Sequence, residues 1–74
     1  MKTLDYVETL RRLVILVARS PDAVGPIPTA MKWARDCDLT PDAAALLGEF
    51  RHRVNLAYRW STALRLAVEA VRPR

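Results

Sequence analysis

Cysteine occurs once, at Cys37, so no disulfide can close within the chain. Histidine also occurs once, and one Cys with one His cannot build a structural zinc site. Glycine occurs twice, which leaves neither a glycine-rich phosphate loop nor a glycine-flanked nucleophile turn. The longest apolar run, residues 13–18, falls far short of the ~20 residues a bilayer span needs. Asp5 and Glu8 precede that run and no small-residue cleavage site follows it, so it does not read as a secretory signal. A lone cysteine suits a reducing compartment. These absences predict a soluble, cytoplasmic chain with no membrane segment, no metal and no cofactor. Cys37 reads as a small apolar residue on a helix.

What is present is helical pattern and arginine. The chain has 74 residues and a formal net charge of +4. A chain of this size forms one domain and buries only ~60% of its unfolded surface. Charge is unevenly placed. Residues 36–49 carry Asp36, Asp38, Asp42 and Glu49 without a base, while residues 50–74 carry six arginines against Glu69. This asymmetry permits an anionic partner or contact between copies. Arginine outnumbers lysine ten to two, which suits a GC-rich genome such as that of an actinobacterium or its phage.

The expected fold class is all-α, a three-helix up-down arrangement with a long C-terminal helix. The first helix spans about residues 4–19, with Val7, Leu10, Val14 and Val17 recurring at helical steps and Tyr6 and Leu13 beside them. Three prolines and Gly25 make residues 20–28 a loop, in which Ser20 could start a single turn. The second helix covers about residues 29–37, with Ala30, Met31, Ala34 and Cys37 inward and Trp33 to one side. Thr40, Pro41 and Asp42 then form a helix start: a capping hydroxyl, a proline for the first turn and an acid at the positive helix end. The third helix is expected to run unbroken over about residues 41–71. Its inner stripe is Leu46 or Leu47, Phe50, Val54, Ala57, Ser61, Leu64, Val68 and Val71. A break near Gly48 or near Trp60 and Ser61 is the alternative.

An unbroken third helix would be ~46 Å long. A compact chain of this length is only about 30 Å across. Leu56, Trp60, Ala63 and Ala67 would lie on a side that the first two helices leave bare. A homodimer is therefore expected, with Phe50, Val54, Leu56 and Trp60 at or near the interface and Arg53 held by a partner at its edge. A protein partner is a second possibility.

Chemistry is densest in "EFRHRVNLAYRW", residues 49–60. Phe50, Val54 and Ala57 face inward, and Arg51, His52, Asn55 and Arg59 form a polar back. A solvated arginine face accounts for most of this. The alternative is weak, salt-sensitive nucleic-acid contact through Arg53, Tyr58 and Arg59. No residue is assigned a catalytic role.

The run "PTAMKWARDCDLTPDAAALLGEFRHRVNLAY" resembles part of the HEPN superfamily, small α-helical and often dimeric units that include toxins and defence proteins. Active members are metal-independent ribonucleases that pair an Arg and a His of two subunits. Leu39-Thr40-Pro41-Asp42 matches the family's long-helix start and Arg53 its arginine. Val54 replaces the asparagine, with Asn55 next to it. Tyr58 stands where the His belongs, and Trp60 where some members carry a Tyr. An unperturbed tyrosine, with a pKa of ~10, does not exchange protons near neutral pH as histidine does. The resemblance therefore implies the scaffold and the dimer rather than the enzyme. The expected function is a non-catalytic, self-associating helical interaction module that binds or regulates a protein partner; an RNA-binding protein or a HEPN-type ribonuclease or toxin-like protein is the alternative.

Overall fold

Two short extended segments interrupt an otherwise helical chain. The computed structural model of the protein describes residues 2–19, 25–56 and 58–72. Lys2–Leu4 (β1) pairs in parallel with Cys37–Leu39 (β2), Leu4 opposite Leu39. The Thr40 N–H extends the ladder, donating to the Leu4 carbonyl at 3.1 Å. The helices are Tyr6–Arg19 (α1), Ile27–Asp36 (α2), Pro41–Asn55 (α3) and Trp60–Ala70 (α4). All-α thus holds as the broad class, but the expected three helices are four among the described residues. Leu4, placed by the sequence at the start of a helix, is instead a wholly buried strand residue. Cys37 lies half-buried in β2 rather than on a helix. A parallel pair requires a crossover, and α1 with α2 supplies it. Only after both helices pack do residues 2–4 meet residues 37–39, so no local period announces the strands.

Helix α1 starts one residue after Asp5, whose carboxylate accepts the Glu8 N–H at 2.8 Å and so satisfies a free first-turn amide. Its buried face is Tyr6, Thr9 and Leu13, with Leu10, Leu16 and Val17 packed beside them. The expected stripe is displaced around the helix, because Val7 and Val14 are 70% and 51% exposed. More than half of this helix's circumference is apolar, so packing rather than period chose the buried arc. The Tyr6 hydroxyl donates to the Val71 carbonyl at 2.8 Å, tying the start of α1 to the end of α4. The Thr9 hydroxyl is buried without a hydrogen-bond partner among the described residues.

Helix α2 begins at Ile27, just after Pro26. Ala30 is buried, and Met31 and Trp33 pack on the core. Ala34, expected inward, is exposed. The expected turn at residues 20–24 and the inward position of Ala57 lie outside the described residues.

Helix α3 begins where Thr40 and Pro41 indicated, but by a different device. Thr40 makes no side-chain cap. Its hydroxyl donates to Asp42 Oδ1 at 2.6 Å, and that same oxygen accepts the Ala43 N–H at 2.9 Å. The Asp42 carboxylate therefore serves the first turn, with Thr40 orienting it.

The unbroken third helix is not found. Helix α3 ends at Asn55, and the Leu56 and Tyr58 N–H groups both close back on the Arg53 carbonyl, at 3.1 and 3.3 Å. Arg59 is extended, with φ −61° and ψ 149°, and its carbonyl accepts the Ala63 N–H at 2.7 Å. Helix α4 then folds back on α3. Ala63, Leu64 and Ala67 become buried against Leu46, Leu47 and Phe50 in one core cluster. Small side chains at Ala63 and Ala67 let the two helices approach closely. Ser61, expected inward, is exposed. Burying a leucine-sized side chain contributes roughly 1.5–3 kcal/mol, against roughly 0.5–1.5 kcal/mol for each helical hydrogen bond lost at the break. The molecule measures 30 × 24 × 18 Å with a radius of gyration of 11.2 Å, the size of one compact globule. The length argument for a second copy therefore falls away.

Candidate interaction surfaces

The expected interface residues divide. Phe50 is wholly buried inside this chain's own core, and Val54 packs half-buried against it. Trp60 is half-buried at the start of α4, with its ring beside Gly25. Gly25 has φ +75°, and a Cβ there would meet Trp60 Cζ2 at 3.2 Å, so this residue must be small as well as left-handed. Leu56 alone of the four is exposed.

The residues of the nucleic-acid reading meet at the α3–α4 turn without forming one site. Arg53 turns back along its own helix, its Nη2 lying 3.3 Å from Glu49 Oε2, while its buried Nε has no partner among the described residues. Tyr58 is bonded to the Arg53 carbonyl through its backbone, and its side chain is 43% exposed. Arg59 is exposed, as are Arg51 and His52. The turn thus offers one phenol and several cations to solvent. The Arg53 guanidinium is already committed to a carboxylate of the same helix.

A second surface was not legible in the sequence. Leu10, Val14, Val17 and Ala18 of α1 face Ser61, Leu64 and Val68 of α4 across an open groove of about 630 Å³. The walls are almost wholly apolar. Arg65 and Glu69 stand on the α4 side, one helical turn apart, and pair at 3.7 Å while both remain exposed. Val7 extends the same α1 face one turn toward the N-terminus.

Glu8 forms the strongest charge cluster. Arg11 grips it with Nη2 at 2.7 Å and Nε at 2.9 Å, and Arg12 Nε lies 3.3 Å away. The hydrogen bonds from Arg11 and then Arg12 lower its pKa from 4.5 to about 2, outweighing the opposing effect of desolvation. The same contact raises the pKa of Arg11. Among the described residues no three His, Cys, Asp or Glu side chains gather where they could hold a metal ion, and no helix is long and apolar enough to cross a membrane. No protein-family model, no curated protein and no solved structure matches the chain.

Proposed function

We propose that the chain is a non-catalytic helical module that self-associates and works by binding or regulating a protein partner. The observation that carries this reading is the open α1–α4 groove, where Val14 is 51% exposed although Tyr6, Thr9 and Leu13 already give the same helix a buried arc. The groove's charges favour a second copy as the occupant. Its rim carries one cation and one anion, so it is neutral on a chain of net charge +4. A two-fold axis across antiparallel α4 helices would set Arg65 of each copy against Glu69 of the other and bury both grooves at once. The HEPN resemblance points the same way, toward a paired scaffold in which Tyr58 replaces the proton-exchanging histidine. Light scattering at micromolar concentration tests the reading. A dimer mass is expected for the native chain, and a monomer mass with unchanged circular dichroism for Val14→Glu. A native chain that stays monomeric across the range overturns it.

The second reading is RNA binding, favoured by the exposure of Arg51, His52, Tyr58 and Arg59 around one turn. It predicts loss of RNA affinity in Arg59→Glu with no change in mass.

A further inference from the structure

On the side of α1 facing α2 lies a smaller cleft of about 250 Å³, lined by Arg12, Ile15, Leu16, Arg19 and Trp33. Its floor is apolar, with Ile15 41% exposed and Leu16 and Trp33 packed on the core. Its two polar members are both arginines. We infer that this cleft receives an amphipathic helical segment of another protein, bearing carboxylates about two turns apart with an apolar residue between them. The proposal goes beyond self-association and uses a different surface.

Three features specify that chemistry. Arg12 and Arg19 are seven residues apart on one helix, so they lie on the same face, about 10 Å apart along the axis. Arg12 is held in place beforehand. Its Nε is 3.3 Å from Glu8 and its guanidinium lies over the Trp33 ring, 5.7 Å from the centroid. Among the described residues no other group takes its Nη donors, which leaves part of a planar fork for a carboxylate. Arg19, the last residue of α1, is exposed and has no ion pair among the described residues.

The same geometry disfavours other occupants. Arg12 covers the Trp33 ring and the core backs it, so a nucleobase finds no open aromatic face to stack on. A second copy lacks the right acids among the described residues. Asp42 is engaged with Thr40 and Ala43, and Glu49 with Arg53. Asp5, Glu8 and Glu69 are likewise engaged within the chain, and Asp36 and Asp38, which remain among the described residues, lie two residues apart at the α2–β2 junction rather than two helical turns apart.

Fluorescence anisotropy on the full chain decides the matter. The probe is a labelled synthetic helical peptide with leucines on one face and two glutamates two turns apart. The controls are the same peptide with glutamines and a labelled oligouridylate. The glutamate peptide is expected to bind, more weakly as salt rises. Arg12→Gln and Arg19→Gln should each weaken it roughly tenfold, and Ile15→Glu should abolish it. Val14→Glu, on the opposite groove, should bind the peptide as the native chain does. Arg19 is exposed, so its variant reports on binding even if Arg12→Gln disturbs folding. Equal binding of the glutamine peptide, or no binding by the folded chain, overturns the proposal. Oligouridylate binding that is lost in Arg19→Gln, without peptide binding, assigns the cleft to RNA instead.

Discussion

Glu8 ionises more readily in the folded chain than in the unfolded one, because two arginines donate to its carboxylate. Its pKa falls from 4.5 to about 2. Above pH 4.5 the group is charged in both states, and the stabilisation is fully present. As pH drops from 4.5 toward 2 the unfolded chain takes up the proton first, so the contribution is progressively lost. Arg11 is 62% exposed, and water screens the contact, so the effect is modest. Glu8→Gln is expected to flatten the melting-temperature curve across that interval and leave the neutral-pH spectrum unchanged. An acid limb identical to that of the native chain would mean that the arginine clamp does not form in solution. Residue by residue, the sequence was most readable where one arc of a helix is unambiguously apolar. Leu46, Phe50 and Leu64 are inward as their spacing indicates. Val7 and Val14 fall outside the buried arc because α1 offers two apolar arcs, and periodicity cannot rank them.

At the scale of elements, the break between α3 and α4 is the feature with the weakest local signal. No proline or glycine lies in residues 49–62, and the apolar stripe keeps its phase through them. The decision is tertiary: folding back buries Ala63 and Ala67, which a straight helix would leave in water, and packs Leu64 into the cluster around Phe50. The strands were hidden for a related reason, since each has three residues and its partner lies across two helices. Arg59 makes the break testable. It occupies the cap position of α4 without any side-chain hydrogen bond, and it places a cation at the positive end of the helix. Arg59→Asp supplies both an acceptor for the free amides and the favourable charge. It is expected to add about 1 kcal/mol, raising the melting temperature by about 4–8 °C. In an unbroken helix the same change would put aspartate in a helix interior and lower stability, by up to ~0.7 kcal/mol from propensity alone. The sign of the shift in a thermal melt therefore separates the two arrangements.

For the molecule as a whole, stability and association are linked. A chain of this length is worth roughly 4–11 kcal/mol in total, so covering one apolar groove is a sizeable fraction. A straight third helix would be too long for one globule and would call for a second copy. The observed dimensions of 30 × 24 × 18 Å remove that argument and leave the exposed α1–α4 strip to carry it. If two copies close over that strip, association stabilises the folded state by mass action, and the melting temperature must rise with protein concentration. The native chain is expected to show that rise between low and high micromolar concentration. Val14→Glu should melt at one temperature throughout, close to that of the native chain at its most dilute. Val14 is half-exposed in the folded monomer, so its replacement removes little from the core, and a lower plateau for the variant would reveal a packing role instead. A native melt independent of concentration, together with scattering that reports one chain, would show that the groove stays open to water or awaits a different partner.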